Sequence, residues 1–242
     1  MFDLHCHILP GIDDGASTLE DTHNLLTLSI EQGVTHMVAT PHIRFGRFEN
    51  SIKSINAAFE IVQRHILDQN LPIILKSAAE VHICPEIMIL AQQKALPFLG
   101  QYDGSDVLLL ELPNDHIPAG TEKLISWLAK QNIKSMIAHP ERNKTLRKHP
   151  EKIQEFKKLG CLFQVTGAAF LGDMGENAQV ISERWLKEGV FNIMASDCHN
   201  MLKRAPKLDE AFARVTQIAG INVANDLTIN TPKLITESLF HV

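Results

Sequence analysis

Short apolar runs alternate along this chain with longer amphipathic stretches, and the alternation continues through most of the sequence. The apolar runs are rich in β-branched residues and predict strands at Phe2–Cys6, Val34–Thr40, Ile73–Ala79, Val107–Leu112, Lys134–Ala138, Cys161–Thr166 and Phe191–Ala195. The stretches between and after them predict helices near 17–32, 51–69, 85–95, 120–131, 149–159, 176–188 and 207–219. Seven strand–helix units with short linkers and no break in composition favour an α/β fold with parallel strands, in one domain over residues 1–242. This periodicity fits a closed barrel and an open doubly wound sheet equally well.

Several predicted helices end in the same way. A Gly or Asn follows the last helical residue and an apolar residue opens the next strand, at Gly33, Asn70, Asn132, Gly160 and Gly189. Both residue types tolerate the left-handed backbone that closes a helix, so these positions are predicted helix ends. The start of the first helix is predicted by Ser17-Thr18-Leu19-Glu20, which has the pattern of a capping box.

Composition places the chain among ordinary globular proteins and excludes several other classes. Its 242 residues are 45% hydrophobic and 21% charged, enough to bury a core without disulfides. A formal net charge of −5 argues against a nucleic-acid binder held by phosphate contacts. No apolar run approaches the roughly 18 residues of a membrane span, and Met1–His5 lacks the basic start of a signal peptide. Four separated cysteines without a CxxC pair favour a cytoplasmic setting.

Histidines and acids gather at the predicted carboxyl ends of the strands, where α/β barrel enzymes keep their active sites. They are His5, His7, His42, His139, His199, Asp14, Glu80, Glu111 and Asp197. One tetrahedral zinc needs only three protein ligands and a water, so this set predicts two or three metal ions that share a bridging carboxylate. Imidazole and carboxylate without thiolate suit Mn, Fe, Zn or Co, and Mg is also possible. Such ions would activate water and polarise a phosphoryl oxygen.

Four motifs, in this order along the chain, resemble those of the PHP (polymerase and histidinol phosphatase) superfamily. They are Asp3-Leu4-His5-Cys6-His7-Ile8-Leu9-Pro10-Gly11-Ile12-Asp13-Asp14-Gly15, Ala39-Thr40-Pro41-His42, Ala138-His139-Pro140-Glu141-Arg142-Asn143 and Ala195-Ser196-Asp197-Cys198-His199-Asn200. Within the superfamily the chain most resembles the tyrosine-protein phosphatases of bacterial capsule and exopolysaccharide gene clusters, over residues 1 to about 215. The resemblance implies a distorted (β/α)7 TIM-like barrel, the PHP fold, with a trinuclear and usually manganese centre at the C-terminal strand ends.

The resemblance also implies a role for each site residue. His5, His7, Glu80 and Asp197 would bind the first ion. Glu80, Glu111 and His139 would bind the second, with Glu80 as the bridge, and Asp14, His42 and His199 would bind the third. Arg142 and Arg204 match the family's phosphate-binding arginines. Two positions depart from the family pattern: Cys6 stands where Ser is usual, and Thr166 where Asn is common.

Some assignments stay open at this point. Spacing does not separate Asp14 from Asp13 as the third ion's acidic ligand. His82 and His116 are either loop residues or substrate contacts. The segment Arg44–Phe48 is either a surface turn or a lip that holds a phenyl ring and recruits an acidic peptide. Four further histidines are predicted to be solvated and one to lie far from the site: these are His23, His65, His149 and His241, and then His36.

Cys198 and Arg204 have the Cys-x5-Arg spacing of thiol-dependent tyrosine phosphatases. That chemistry needs a Gly-rich segment whose backbone N–H groups wrap the phosphate, and residues 199–203 contain no glycine. Cys198 also lies between two proposed ligands, so it should face the other side of the strand. The sequence therefore predicts that the Cys198 thiolate is not the nucleophile.

The candidate ligands predict a metal-dependent phosphomonoesterase, and the resemblance implies that it acts on phosphotyrosine in proteins, by direct attack of a metal-bridging hydroxide. The resemblance implies a bacterial tyrosine autokinase of polysaccharide export as substrate, and leaves the oligomeric state open. One alternative is a small-molecule phosphatase such as histidinol-phosphate phosphatase, and another is a catalytically weak metal-binding regulatory subunit. A metal-dependent amidohydrolase shares the His-x-His start, but its bridging lysine has no counterpart at Glu80.

Overall fold

The predicted alternation of strands and helices is present in the computed structural model, which describes residues 1–240; His241 lies outside them. The strands are β1 (Phe2–Cys6), β2 (His36–Ala39), β3 (His42–Ile43), β4 (Ile74–Ser77), β5 (Glu80–His82), β6 (Gln101–Tyr102), β7 (Ser105–Glu111), β8 (Ile133–Ala138), β9 (Leu162–Thr166) and β10 (Ile193–Ala195). The helices are α1 (Leu19–Glu31), α2 (Ile52–Asp68), α3 (Ile87–Gln92), α4 (Thr121–Lys130), α5 (Lys144–Lys148), α6 (Lys152–Lys158), α7 (Glu176–Lys187), α8 (Leu208–Ala219), α9 (Ile221–Asn225) and α10 (Thr231–Phe240). Among residues 1–240, no helix is long and apolar enough to cross a membrane.

The strands form two parallel sheets, ordered β1-β2-β4 and β10-β9-β8-β7-β5-β3, and β6 adds an antiparallel pair to β7. Only two residues separate β2 from β3, and likewise β4 from β5, so each pair is one interrupted strand. Pro41 explains the first interruption because proline has no N–H for the ladder. The backbones of Cys6 and Cys198 form an isolated parallel β-bridge, and His7 N donates to Cys198 O at 2.9 Å. These backbone contacts join β1 to the segment after β10.

Apolar side chains fill two separate spaces, as the two-residue period of a strand requires. In β7, Leu108 and Leu110 pack in the larger cluster, together with residues of the surrounding helices. Val107 and Leu109 belong to a second cluster, built mostly from the strands themselves. Ligands at strand ends can therefore continue the inner row of side chains.

Helix boundaries follow the predicted signals with two corrections. The five predicted Gly and Asn helix ends are confirmed, since all have positive φ, between 52° and 82°. The capping box lies one residue later than predicted, with Thr18 and Asp21 as the reciprocal pair. The helix predicted over 149–159 is wrong at its start: α5 ends at Lys148 and α6 begins at Lys152. Pro150 disfavours helical backbone at the residue before it, which separates the two helices.

The segment after α8 was not predicted, and it is helical to the end of the described residues. It comprises α9, a π-helical turn over Asp226–Asn230, and α10. Ile235 of α10 is fully buried in the inner cluster of the strands, near Phe2 and Leu99. The carbonyl of Ile235 packs against Gly100, where a Cβ would overlap it. Helix α10 therefore covers the amino ends of the strands, opposite the predicted site.

Candidate metal centre

The structure brings all nine predicted metal-ligand residues together at the carboxyl ends of the strands. Their ligand atoms form four groups, each within 4.8 Å: His7, Asp14, His42 and His199; His5, His7 and Glu80; His5, His139 and Asp197; and His42, Glu80 and Glu111. All of these residues except Asp14 are buried. The predicted gathering of ligand-type side chains is therefore present, although His139 groups with His5 and Asp197, and Glu111 with His42, in place of His139 with Glu111.

Glu80 lies at the centre of the cluster. Its Oε1 atom is 2.7 Å from His139 Nε2, and its Oε2 atom is 3.0 Å from His42 Nδ1. Oε2 also lies 3.3 Å from His5 Nε2 and 3.4 Å from His7 Nε2. Both oxygens of one carboxylate thus face imidazoles from different strands, which is the placement that a bridging ligand requires.

A β-bulge aims His5 into the cluster. Leu4 belongs to the inner row, so an unbroken strand would direct the next side chain outward. The pairing register of β1 with β2 shifts between Asp3 and Cys6, which lets the His5 side chain face inward as well. The irregular strand is held by Asp3, whose Oδ1 accepts bonds from His5 N at 3.4 Å and Ser196 N at 3.0 Å.

Gln164 of β9 orients two of the histidines, and sequence reasoning did not find this role. Its Oε1 atom accepts from the backbone N–H of His139 at 3.1 Å and lies 2.9 Å from His5 Nδ1. An atom that accepts from a backbone N–H is an oxygen, so His5 carries its proton on Nδ1. Nε2 is therefore the ring nitrogen of His5 that faces the cluster and is available to a metal ion.

The structure separates the roles of Asp13 and Asp14. Asp13 Oδ2 lies 2.8 Å from His7 Nδ1 and accepts from His42 N at 3.1 Å. Asp14 Oδ1 lies 3.3 Å from His42 Nε2 and 3.6 Å from His199 Nε2. Asp13 is thus an orienting residue behind His7, and Asp14 is the acid that lies among the candidate ligands.

Gly15 closes the loop that carries both aspartates. Gly15 N donates to Asp13 Oδ1 at 2.9 Å, and Ala16 N donates to His7 O at 3.0 Å. A Cβ atom at position 15 would overlap the carbonyl and the Cβ of His7. The loop therefore lies directly against a candidate ligand, and glycine is needed there because of space.

Both predicted phosphate-binding arginines reach the cluster and meet at Asp197. Arg142 Nη1 donates to Asp197 Oδ2 at 2.7 Å, and Arg204 Nη2 donates to the same oxygen at 2.6 Å. Burial opposes ionisation of Asp197, but His5, Arg204 and Arg142 outweigh it and hold its pKa well below the ordinary value. Asp197 is therefore ionised, and its other oxygen, Oδ1, lies 3.4 Å from His5 Nε2.

Left-handed backbone occurs at two of the candidate ligands. His139 has φ of 30° and Asp197 has φ of 52°, values that non-glycine residues adopt at a cost of roughly 1–3 kcal/mol. Ala138 already faces the inner cluster, so regular backbone would turn His139 outward. The unusual conformation aims the imidazole into the site.

His82, whose role the sequence left open, contacts a candidate ligand. Its Nδ1 atom lies 2.8 Å from Glu111 Oε2, so it orients that carboxylate. His116 is exposed and pairs with the neighbouring Asp115 at 2.8 Å, away from the cluster. Glu141 is a further buried acid that was not predicted: it accepts from Thr166 N at 2.9 Å, and burial raises its pKa to about 7.

The remaining histidines lie outside the site. His36 stacks on Phe2 with ring centroids 4.3 Å apart, and His149 is exposed, as predicted. The prediction was wrong for His23 and His65. Their rings are partly buried, and Nδ1 of the first lies 3.1 Å from Nε2 of the second, because α1 and α2 bring them together.

The segment Arg44–Phe48 is a turn that lies against the third ligand group. Phe48 stacks on His42 with centroids 5.4 Å apart and rings inclined by 7°. The guanidinium of Arg47 lies 4.8 Å from the centre of the Phe48 ring, and its Nη2 is 3.4 Å from Asp14 Oδ2. Phe45 at the tip is 44% exposed. The turn thus contacts the candidate ligands His42 and Asp14 and exposes the Phe45 ring at its tip.

Four buried ligand atoms make no hydrogen bond of good geometry within residues 1–240, although two of them lie 3.0 Å apart: they are Glu80 Oε2, His42 Nδ1, Asp197 Oδ1 and His199 Nε2. Burial of unpaired polar atoms is unfavourable, so such a group is expected where a cation binds. Burial lowers the pKa of His199 to about 2, so this imidazole is neutral and can offer a lone pair to a metal ion. Burial also opposes protonation of His42, but Glu80 and Asp14 outweigh it and raise its pKa to about 9, so protons and cations compete for this ring. The donor set therefore fits divalent metal ions.

Cys198 faces away from the ligands, as predicted. It is fully buried in the core between the strands and the helices, and burial raises the pKa of its thiol well above the ordinary range. Cys6 shares that core, and its Sγ donates to Val38 O at 3.4 Å. Neither thiol is a candidate ligand or nucleophile.

The parallel strands and the imidazole–carboxylate cluster at their carboxyl ends define an α/β protein with a candidate multinuclear metal site. A family model described as capsular polysaccharide synthesis, CpsB/CapC, matches residues 1–237, and the chain belongs to this family. It is 28% identical over 235 residues to the tyrosine-protein phosphatase YwqE of Bacillus subtilis, covering 97% of this chain and 91% of that one. It is 30% identical over 212 residues to the putative tyrosine-protein phosphatase CapC of Staphylococcus aureus, covering 88% and 82%.

One solved structure supports membership of this family, and a second shares the fold. One from a crystallographic study of YwqE from Bacillus subtilis and CpsB from Streptococcus pneumoniae, described as unique metal-dependent tyrosine phosphatases, superposes with a TM-score of 0.90. It is 28% identical and covers 97% of this chain and 94% of that chain. A lactonase from Listeria monocytogenes superposes with a TM-score of 0.55 at 12% identity over 97% of this chain and 93% of that one, and shows the fold alone.

Proposed function

We propose that this protein is a metal-dependent protein-tyrosine phosphatase. The observation that carries the proposal is one cluster of nine imidazole and carboxylate side chains, with two arginines converging on its Asp197. Membership of the CpsB/CapC family supports it, because relatives aligned over most of this chain are named tyrosine-protein phosphatases. The buried thiol of Cys198 fits hydrolysis without a cysteine nucleophile.

The proposal includes a distorted (β/α)7 barrel in a single domain over residues 1–242. Counting each interrupted strand once and leaving β6 aside, seven parallel strands carry the site. The backbone β-bridge between Cys6 and Cys198 supports closure of the barrel, because it joins the first strand to the last. The inner cluster of side chains, which Ile235 covers, supports it as well.

The proposed centre holds two to three divalent ions, with manganese as the expected metal and Fe, Zn, Co or Mg as alternatives. The proposed ligands are His5, His7, Asp14, His42, Glu80, Glu111, His139, Asp197 and His199. Hard carboxylate and borderline imidazole donors without thiolate support this choice. The position of Glu80 among four imidazoles supports its role as the bridge.

The bound ions would supply Lewis acidity that activates water and lowers the charge on the phosphoryl oxygens. Arg142 and Arg204 would hold two of those oxygens, since each guanidinium has donors beyond the one used on Asp197. Asp197 would keep both guanidinium groups in place. The phenol of tyrosine has a pKa of about 10, so the leaving group departs without a dedicated general acid. The proposed reaction is thus direct hydrolysis with no covalent phosphoenzyme.

The proposed substrate is a phosphotyrosine protein, and specifically a bacterial tyrosine autokinase of polysaccharide export. The family description, capsular polysaccharide synthesis, supports this setting. The proposed location is the cytoplasm, which fits the four free thiols of the chain.

Steady-state kinetics on the manganese-loaded protein test the proposal. We expect kcat/KM to be far higher for phosphotyrosine peptides than for matched phosphoserine peptides or for histidinol phosphate. A higher kcat/KM for histidinol phosphate would assign the site to a small-molecule phosphatase. Tight binding of a phosphotyrosine protein without turnover would favour a regulatory subunit.

A further inference from the structure

An apolar groove of about 540 Å³ opens between the loop that follows β5 and helix α4. Its walls include Ile83, Cys84, Met88, Pro118, Leu124 and Trp127. Lys123 is the only charged side chain along these walls within the described residues. The volume lies in the range of pockets that accept organic ligands, and the lining is suited to an apolar group.

One wall of the groove is continuous with the site. Ile83 follows His82, whose ring orients Glu111, and Ile83 N donates to Glu111 O at 2.9 Å. The groove therefore begins one residue beyond a side chain that touches a candidate ligand.

The opposite wall is also tied to the site. Asn143, the neighbour of Arg142, donates through Nδ2 to Pro113 O at 2.6 Å and to His116 O at 2.8 Å. These bonds hold the loop that leads into Pro118 and helix α4. The loop that forms this wall is thus held by the residue next to Arg142, one of the two proposed phosphate-binding arginines.

We infer that the groove binds an apolar side chain of the same polypeptide that carries the phosphotyrosine, two or three residues away from it. This inference rests on the proposed function. An extended chain covers roughly 3.3 Å per residue, so a side chain at that separation reaches a wall that starts beside His82. Trp127 offers a large aromatic face and Met88 a flexible thioether, which together suit leucine, methionine or an aromatic residue.

The lining of the groove favours an apolar peptide side chain over a phosphate group, a small metabolite or a second protein copy. The phosphate charge is already matched by Arg142 and Arg204 at the metal centre, whereas the groove offers almost no polar partner. A small phosphorylated metabolite would be held at the centre and would leave the groove empty. The groove is concave and of limited volume, which favours one inserted side chain over the flat face of a second protein copy.

Adjacent residues of helix α3 provide a matched pair of variants. Met88 lines the groove, whereas Ile89 is 54% exposed and does not line it. Met88→Lys and Ile89→Lys therefore add the same charge to the same helix, inside and outside the groove. Their kcat/KM values are to be measured with p-nitrophenyl phosphate, which carries no flanking residue to occupy the groove. They are then measured with two phosphotyrosine peptides that carry leucine or alanine at the flanking positions.

We expect the wild-type protein to have a kcat/KM about ten-fold higher for the leucine peptide than for the alanine peptide. The difference should lie in KM, because burial of one leucine side chain strengthens binding by about ten-fold. Met88→Lys should abolish that preference, and Ile89→Lys should retain it. The inference is overturned if both variants keep the preference, if both lose it, or if Met88→Lys lowers turnover of p-nitrophenyl phosphate as much as that of the peptides. A wild-type protein that hydrolyses neither aryl phosphate nor peptide refutes the proposed function, and the inference with it.

Tryptophan fluorescence offers a second readout that does not depend on turnover. Trp127 is partly exposed in the groove, whereas Trp185, the only other tryptophan, is fully buried. A leucine-flanked peptide with a non-hydrolysable phosphonate in place of the phosphate should shift the emission of the wild-type protein. Trp127→Phe should remove the shift, and the alanine-flanked peptide should produce less of it at equal occupancy. Equal shifts from both peptides contradict the inference.

Discussion

The guanidinium of Arg204 lies 2.6 Å from the carboxylate of Asp197, a side chain that also faces the candidate ligand His5. Arg142 donates to the same carboxylate oxygen. The cations proposed to bind phosphate and a carboxylate proposed to bind metal therefore form one electrostatic unit. Removal of either guanidinium charge should therefore change the electrostatic environment of the Asp197 carboxylate.

Removal of either arginine should slow turnover while the metal stays bound. For Arg142→Ala and Arg204→Ala we expect kcat/KM to fall by one to three orders of magnitude, about 1.4–4 kcal/mol of transition-state stabilisation. Neither side chain can be a metal ligand, and loss of a neighbouring cation leaves Asp197 free for the ions. Steady-state kinetics and elemental analysis of the same samples check this. Loss of metal in parallel with activity would show that the arginines act by holding Asp197 in place.

Loss of the central carboxylate should remove metal and activity together. In Glu80→Ala, four imidazoles lose the anion that they share, so we expect a lower metal content and at least a hundred-fold loss of turnover. Glu80→Gln, which keeps the volume, separates charge from shape and should behave like Glu80→Ala. A fully active Glu80→Ala protein would exclude a bridging role for this residue.

The two neighbouring aspartates should respond differently to substitution. Asp14→Asn should weaken binding of one ion, because Asp14 lies between His42 and His199. Asp13→Asn should instead cost about 10–100-fold in activity or metal affinity through misorientation of His7, the usual effect of an outer partner. Isothermal titration of the metal-stripped variants with Mn²⁺ gives the number of sites. Loss of a site in Asp13→Asn but not in Asp14→Asn would reverse the assignment.

Cys198→Ser and chelation distinguish the two phosphatase chemistries. A thiol mechanism needs the thiolate, so the substitution would abolish turnover and a chelator would have little effect. Cys198 is fully buried on the face away from the ligands, so we expect the variant to keep most of its activity and a chelator to remove it. Added Mn²⁺ should then restore it. An inactive Cys198→Ser protein with its full metal content would contradict the metal mechanism.

Much of the site could be predicted because side chains alternate between the two faces of a strand up to its carboxyl end. Glu80, Glu111 and His42 continue the inward-facing row of their strands, and their alternation is visible in the sequence. His5 and His139 are different, since a bulge and a left-handed backbone aim them inward. Their place at predicted strand ends made both histidines candidate ligands, and the motif resemblance then assigned each to a particular ion. Strict alternation along the strand would direct both side chains outward.

The supporting contacts were harder to predict than the candidate ligands. Gln164 lies 159 residues from His5 in the sequence, and nothing in either local pattern indicates their 2.9 Å contact. The same holds for the covering of the strands by α10, where Ile235 meets Phe2 and Leu99 only through the tertiary fold. Such partners are determined by which strands become neighbours, which a single sequence does not state.

Gly15 has no side chain, yet its role resembles that of a catalytic group. Any Cβ at this position would collide with His7 and displace its imidazole. That displacement would disturb the neighbouring candidate ligand Glu80, which lies 3.4 Å from His7 Nε2. In a saturation-mutagenesis experiment scored by enzyme activity, position 15 should therefore tolerate as few replacements as the metal ligands themselves. The map of intolerant positions would trace the backbone that supports the site as well as the atoms that perform the chemistry.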